Sequence, residues 1–577
     1  MKYHQVLVIG GGLAGMRAAA ACNRRNIKVG LLSKIHPVRS HSTSAQGGIN
    51  ASLQNHVRGK HDSAMRHAFD TIKGSDYLAD QDAVVRFTED APKRIYEMEN
   101  WGCPFSRTPE GKIAQRPFGG AGYPRTCYAA DKTGMYLIQT LWEQICKFTS
   151  ASMREEMVIY DEWIALKLVI DKKKIVGVVA WNLKDGELEV FRADAVIMAT
   201  GGIGRIYAGT SNALTNTGMG MALAYWAGVP LKDMEFVQFH PTTLKGNNCL
   251  MTEGCRGEGG YLINDKGERF LANYPDSAVA MEVAPRDIVS RNIEREIKAG
   301  RGINGEDYVY LDLRHLGAEK IMTRLPGIRD IAMNFVNVDP IKEPIPIQPG
   351  HHYTMGGIDT GKNAATEVDG LYAAGECGCV SVHGANRLGG NSLLETIVMG
   401  AAAGESAVKF IEDGGKTGDV SKQLDKAKKE VEDKIKKMFD SKGNEDPADI
   451  RDEMQKTMKE KVGIFRNEKD LKEGHKKIQE LRERYKKIRI MNKSSLKFNQ
   501  DLMWNMELEG DLDIAETIAA GALNRKESRG SQFREDYTKR DDKKWLHHTT
   551  YKFTPKGAKL GKKKVTLGYF EPKARAY

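Results

Sequence analysis

Val6-Leu7-Val8-Ile9-Gly10-Gly11-Gly12-Leu13-Ala14-Gly15-Met16 carries the first apolar run of the chain into a glycine turn. Gln5 to Ile9 reads as a buried strand, and Gly10, Gly12 and Gly15 fall at the spacing G-x-G-x-x-G. Met16 to Asn23 is an alanine-rich helix and Ile27 to Leu32 a second strand. In that order the pieces make a dinucleotide-binding βαβ unit. Its glycines allow a tight turn and close approach of a pyrophosphate, whose charge meets the helix N-terminus. The second strand ends Ser33-Lys34, where an NAD site has Asp or Glu for the ribose. A hydroxyl can still bond a ribose, so the motif survives while NAD fits it less well.

Two more strand–glycine endings lie far downstream, at Ala193-Asp194-Ala195-Val196-Ile197-Met198-Ala199-Thr200-Gly201-Gly202 and at Gly370-Leu371-Tyr372-Ala373-Ala374-Gly375-Glu376. Together the three predict one α/β, doubly wound Rossmann-type domain interrupted by inserts. Residues 156–192 alternate like strands (Val158–Tyr160, Ala165–Ile170, Val176–Ala180) and predict a small antiparallel sheet. The insert 243–349 is mixed, with a helix-like Arg286 to Lys298. Past Gly404, Ser421 to Met438 and Leu471 to Ile488 are rich in Lys and Glu with apolar residues at helical spacing, as in a helical bundle. The expected division is 1–242 and 350–415 for the nucleotide-binding domain, 243–349 for the insert, 416–537 for the helical domain and 538–577 for a basic, irregular C-terminal segment.

At 577 residues, with 41% hydrophobic residues and 59 glycines, the chain is a globular protein of several domains. No apolar run reaches the ~18 residues that read as a membrane span. Met1 to Gln5 lead straight into the first strand without a signal-peptide pattern; the expectation is a cytoplasmic protein or a cytoplasm-facing subunit. The eight cysteines are scattered without C-x-x-C, so no iron–sulfur cluster or other metal site is expected here, and Cys377-Gly378-Cys379 reads as a small-residue turn. Of the net charge of +11, residues 538–577 supply +9, from twelve Lys/Arg against three Asp/Glu. No nucleic-acid motif accompanies them, which leaves a solvated or subunit-facing tail and no nucleic-acid partner.

Several polar clusters remain. The first, Val38-Arg39-Ser40-His41-Ser42-Thr43-Ser44-Ala45-Gln46-Gly47-Gly48, sets a histidine among small residues that let a flat ring approach. The others are Gln238-Phe239-His240-Pro241-Thr242-Thr243, Thr252-Glu253-Gly254-Cys255-Arg256-Gly257-Glu258-Gly259-Gly260, Ala284-Pro285-Arg286-Asp287, His351-His352-Tyr353-Thr354-Met355-Gly356-Gly357 and His383-Gly384-Ala385-Asn386-Arg387-Leu388-Gly389-Gly390-Asn391-Ser392-Leu393. In content and order they resemble the flavoprotein subunit of succinate dehydrogenase and fumarate reductase, the complex II family. The resemblance runs from Val6 to about His548 and includes Asn524 to Gly530 and Tyr537 to Trp545; the tail after about Tyr551 has no counterpart in it.

The resemblance implies FAD bound covalently through His41, a link that prevents flavin loss and raises its reduction potential. The flavin would lie along Gly10, Gly12, Ala14, Gly15, Ser33, Lys34, Ser40, Ser42, Gly47, Gly48, Ala165, Thr200, Gly201, Glu376, Arg387, Ser392 and Leu393, with Glu376 accepting from the ribityl hydroxyls. Thr217 stands where some members carry aspartate and brings no charge. A dicarboxylate has two anionic ends and needs two sets of donors. Arg387, by a bidentate fork, and His352 would hold one end; His240, Thr252 and the Gly48 backbone would hold the other, with Phe118 packed on the substrate. Arg286 would give the proton that accompanies hydride transfer from flavin N5 to fumarate, resupplied by Glu253 and Arg256. A guanidinium normally keeps its proton, so the role needs that relay; the alternative is that Arg286 only stabilises developing charge. The implied insert is a capping domain that excludes water. Implied partners are an iron–sulfur subunit and a membrane cytochrome b or quinone-binding subunit, with this chain peripheral on the cytoplasmic side of the inner membrane. The alternative is a soluble L-aspartate oxidase-like flavoenzyme, which shares the Thr252–Gly260 and His383–Leu388 patterns but lacks a histidine equivalent to His41. A nicotinamide-dependent dehydrogenase and a non-catalytic scaffold are further rivals; neither explains the dicarboxylate clusters.

Overall fold

Seven strands form one sheet in the computed structural model, which describes residues 1–151 and 157–575. They are β1 (Lys2–Ile9), β2 (Val29–Ser33), β3 (Met157–Asp161), β4 (Trp163–Asp171), β5 (Lys174–Asn182), β6 (Leu188–Met198) and β7 (Leu371–Ala373). The order is β3-β2-β1-β6-β5-β4, with β7 paired to the C-terminal part of β6. β1, β2, β3, β6 and β7 are parallel, and β4 and β5 continue the sheet antiparallel. The antiparallel pairing expected of residues 156–192 is present from Trp163 on, but as a continuation of the main sheet and not as a small sheet of its own; residue 156 lies outside the described residues. Val158–Tyr160 pairs with Gly30–Leu32 on the open edge of β2. Alternation reveals strands, but which edge they satisfy depends on backbone groups supplied elsewhere in the chain.

The glycine turn follows from clearance. Gly10 has φ +115°, and a Cβ there would meet the Ala199 carbonyl oxygen at 2.1 Å; one on Gly15 would meet the Gly10 oxygen at 1.8 Å. These two glycines close the turn and pack the helix on the sheet, whereas Gly12 has nothing nearer than 3.5 Å and leaves room above the helix end. Helix α1 (Leu13–Asn23) starts inside the fingerprint, three residues before the expected start. It lies against the helix Asn391–Glu412, where Cβ atoms on Gly400 and Gly404 would meet the Ala14 and Ala18 oxygens at 2.6 and 2.5 Å. That contact holds residues 391–393 beside the turn.

The insert has its own antiparallel sheet, in the order Val237–Leu244, Ile345–Thr354, Val309–Asp312, Tyr261–Ile263. Its core includes Leu244, Leu262, Val289, Ile293, Leu311 and Ile347. Helix α2 (Arg286–Lys298) packs on the strand Val237–Leu244, where Ser290 Oγ donates to the Phe239 carbonyl at 2.9 Å. The chain enters and leaves the insert on adjacent strands, so the residues where both strands begin and end face the nucleotide-binding domain.

Helices Ser421–Phe439, Pro447–Lys461 and Glu468–Tyr485 bury only a stripe each; in the first it is Leu424, Ala427, Val431 and Ile435. Helix α3 (Gln500–Asn524), not singled out by the sequence reading, is buried on nearly every side and shares a core with the main sheet. The basic tail is also more ordered than expected. His547–Lys552 and Lys559–Lys564 form a hairpin on Leu231–Lys232, with the Tyr551 hydroxyl donating to the buried Glu235. The outer strand lacks apolar alternation because it is a solvated edge; its lysines are of the kind that block edge-to-edge pairing. Arg575 then reaches back to Asp287, at 2.7 Å, and to Asp76. Ala576 and Tyr577 lie outside the described residues. Among those described, no helix is long and apolar enough to cross a membrane.

A buried histidine fastens this hairpin. His548 Nδ1 lies 2.7 Å from Asp233 and Nε2 3.2 Å from Asp80. Burial opposes its charge, but the two carboxylates win and raise it to about 9. Because the folded value lies above the ordinary one, this contribution is complete below about pH 6.5 and is lost as pH rises through 9. Urea midpoints measured from pH 6 to 9.5 should fall across that window, and His548→Gln should flatten the decline.

Candidate functional site

A single continuous cleft, about 1750 Å³ with its open mouth, runs from the ends of β1, β2 and β6 to the junction with the insert. At one end it is lined by the turn Gly10–Ala14, Ser33, Lys34 and Ala165; at the other by Phe118, His240, Thr252, Glu253, Arg286, His352 and Arg387. Ser40, His41, Ser42, Gly47, Gly48, Thr200, Gly201, Thr217, Glu376, Ser392 and Leu393 line the remainder. Of the residues chosen from the sequence, Gly15 and Arg256 alone stand back from the wall: Gly15 packs helix on strand, and Arg256 Nη1 donates to the Glu282 carbonyl.

His41 occupies the turn after β2. Its Nδ1 accepts the Ala213 backbone N–H at 3.3 Å, and Nε2 lies 3.5 Å from the Asn212 amide. Burial, then the charge of Arg205, lower its pKa to about 4, so the ring is neutral at physiological pH. Glu376 sits over Gly202, where a Cβ would meet its carboxylate oxygen at 2.3 Å, and accepts the Thr354 N–H. Burial raises it to about 8, which makes it a donor as well as an acceptor near neutral pH.

At the insert end, the strand Val237–Leu244 changes register between Gln238 and Phe239 and again between His240 and Thr243. Such bulges re-aim side chains. His240 Nδ1 lies 3.2 Å from both the N–H and the carbonyl oxygen of Thr242, and its Nε2 is buried without a partner. His352 lies with its ring 4.9 Å from that of His240, and Ser211 Oγ holds its Nδ1 at 2.8 Å. Burial and the surrounding cations keep both histidines far below their ordinary pKa.

The charge therefore resides on the arginines. Arg286, first residue of α2, donates through Nε to Glu253 Oε2 at 2.6 Å and through Nη1 to Gln238 Oε1 at 3.3 Å. Arg387 Nη2 donates to the same Gln238 oxygen at 3.1 Å, and its Nε has no partner. Burial, and next the like charge of Arg286, pull Arg387 down to about 9. Burial would raise the Glu253 carboxyl, but Arg286 and Arg256 hold it below its ordinary range, and it also accepts the Gly119 N–H at 2.6 Å. No hydrogen bond joins Glu253 to Arg256; Arg256 acts on it through charge.

Two residues of the site escaped the sequence reading. Gln238 lies within a quoted cluster, two positions before His240, and its amide fixes both arginines while donating to Asn386 Oδ1 and the Arg387 carbonyl at 2.8 Å each. Its strand alternation with His240 was the available signal. Glu507 reaches the cleft from α3 and pairs with Lys34 at 2.5 Å; the same helix carries Asp501, Glu509, Asp511, Asp513 and Glu516, so nothing in the sequence singles Glu507 out. Buried polar atoms without partners gather on this cleft: Ser40 Oγ, Gln46 Oε1, Thr200 Oγ1, His240 Nε2, Arg387 Nε and Glu507 Oε2. Such atoms are costly unless a ligand meets them, and a dinucleotide with many hydroxyl, phosphate and ring groups fits the set.

Two family models match the chain. Residues 5–393 match the family described as FAD binding domain, and residues 451–577 match the one described as fumarate reductase flavoprotein C-term. The second match includes the tail for which no counterpart was recognised in the sequence. The fumarate reductase flavoprotein subunit of a Serratia species is 44% identical, across 99% of this chain and 96% of its own. The succinate dehydrogenase flavoprotein subunit of Rickettsia bellii is 45% identical, across 94% and 92%. The FrdA chain of E. coli quinol fumarate reductase, in a Glu-to-Gln variant, superposes with a TM-score of 0.95 at 42% identity, across 100% of this chain and 99% of that one.

Gln238→Glu keeps the side-chain shape but adds a negative charge between the arginines. Binding of a small dicarboxylate, followed by isothermal titration, should weaken by about tenfold or more, corresponding to roughly 1.4 kcal/mol.

Proposed function

The chain belongs to the family of fumarate reductase and succinate dehydrogenase flavoprotein subunits, FAD-dependent oxidoreductases, and on that premise we propose how its own residues interconvert fumarate and succinate. The observation that carries the reading is the buried pair Arg286 and Arg387, converging on one Gln238 oxygen, with Glu253 the sole anion bonded to them among the described residues. Two guanidiniums against one carboxylate leave excess positive charge in a desolvated place, which a dianionic substrate neutralises.

FAD, when bound, supplies hydride chemistry at its N5 atom. Arg387 and His352 hold one carboxylate of the substrate. His240 through Nε2, the Thr252 hydroxyl and the Gly48 backbone hold the other, and Phe118, packed against Gly47, lies on the substrate. Arg286 provides the proton for the second alkene carbon in fumarate reduction and takes one back in succinate oxidation. Glu253, held ionised at rest by Arg286 and Arg256, takes up a replacement proton by way of Arg256 and passes it to Arg286 across the 2.6 Å contact. The insert serves as a capping domain: Thr252, Glu253 and Arg286 all belong to it, so closure onto Arg387 and the FAD-binding domain completes the site and excludes water.

His41 attaches the flavin through a ring nitrogen to the flavin 8α carbon. The imidazole is neutral, with its low pKa of about 4; a bond at Nδ1 would replace the hydrogen bond from the Ala213 N–H, and one at Nε2 would replace its proton. Electrons leave singly through a docked iron–sulfur subunit, since this chain has only scattered cysteines. A membrane cytochrome b or quinone-binding subunit anchors the assembly, with this chain peripheral on the cytoplasmic face; a quinol-fumarate reductase solved with menaquinol is 42% identical to it.

Acid-precipitated protein should retain yellow flavin, and His41→Ser should release it into the supernatant. In that variant succinate oxidation should fall further than fumarate reduction; equal losses would remove the redox role given to His41. Arg286→Lys should keep flavin and dicarboxylate binding while turnover drops by several orders of magnitude, and substantial turnover would return Arg286 to a purely electrostatic role.

A further inference from the structure

The β2 end of a Rossmann unit is where an acid ordinarily receives the adenosine ribose hydroxyls, and here that end reads Ser33-Lys34. Neither side chain is an acid. The Ser33 hydroxyl donates its proton to the Ile35 carbonyl at 2.6 Å and keeps only uncharged acceptor lone pairs, and Lys34 is a donor with no acceptor capacity. A carboxylate nevertheless stands at the same place. Glu507, 473 positions from Lys34 in sequence, comes in from α3 of the helical domain and accepts the Lys34 ammonium on Oε1 at 2.5 Å. Glu507 is 3% exposed, lines the cleft, and its Oε2 is buried with no hydrogen-bond partner.

We propose that Glu507 is the acceptor for the ribose hydroxyls of the FAD adenosine half, so that the helical domain supplies the acid that β2 lacks. One oxygen stays on Lys34, which fixes the carboxylate, and the other takes a hydroxyl proton. This rests on the FAD reading of the cleft and adds that cofactor choice is made partly by the C-terminal domain: FMN, which has no adenosine, gains nothing from Glu507.

The test uses the full-length chain carrying His41→Ser, so that flavin is held without a covalent bond, stripped and titrated with flavin while fluorescence quenching is followed. Adding Glu507→Gln should raise the Kd for FAD about tenfold and leave that for FMN unchanged. Equal weakening of both would assign Glu507 a merely structural role, and an unchanged FAD affinity would remove it from the site; either overturns the proposal. If the substituted chain does not fold, FAD lacking both adenosine ribose hydroxyls, titrated into the chain that retains Glu507, should bind about tenfold more weakly than FAD. Equal affinity would overturn the proposal there too. Failure of covalent attachment would show separately, as flavin released by acid from the chain that still has His41.

Discussion

Two arginines buried side by side form the constraint around which this molecule is built. Their mutual repulsion in a desolvated site is tolerable only if each is held by something rigid and an anion completes the charge. Gln238 provides the common acceptor, Glu253 the partial countercharge, and substrate the remainder. The supports come from different places: Arg286 from the first turn of α2, Arg387 from the loop before the helix Asn391–Glu412, and Gln238 from a bulged strand that leads into the insert. Any motion of the insert relative to the Rossmann sheet changes the distance between the two guanidiniums, so insert position and site electrostatics are one variable.

The surrounding structure holds that geometry through buried ionic seams. Arg525 pairs with Glu235 and Glu527, and Arg529 with Glu527 and Asp542; of these, only Asp542 is exposed at all. Each such pair contributes little net stability against an apolar replacement, but losing one partner strands a buried charge at a cost of about 3–5 kcal/mol. The seam therefore fixes position more than it adds stability. Arg575 extends it to Asp287, the neighbour of Arg286, so the C-terminal segment braces the helix that carries Arg286.

Much of this was legible in residues alone where the governing forces are local. Gly10 and Gly15 are read from sequence because a side chain there collides with the backbone whatever the rest of the fold does. The amphipathic helices Ser421–Phe439 and Glu468–Tyr485 are read because their apolar spacing reflects burial of one face. His240, Thr252, Arg286, His352 and Arg387 were recognisable as family clusters, and all five reach one cleft. The basic tail was misread because Lys559–Lys564 has no periodicity of its own; its strand exists only through pairing with His547–Lys552.

The sequence by itself thus determined the Rossmann turn, the family and the chemical inventory of the site, since turn sterics and side-chain types are carried by short stretches. Tertiary structure decided the rest: that Arg286 and Arg387 share an oxygen of Gln238, that Arg256 touches Glu253 only through its field, and that Glu507 meets Lys34 across 473 positions. Those relations depend on where separate elements stop in space, which is set by packing of the insert and of α3 on the main sheet. No local pattern encodes a distance between residues whose elements meet only after the whole core has formed.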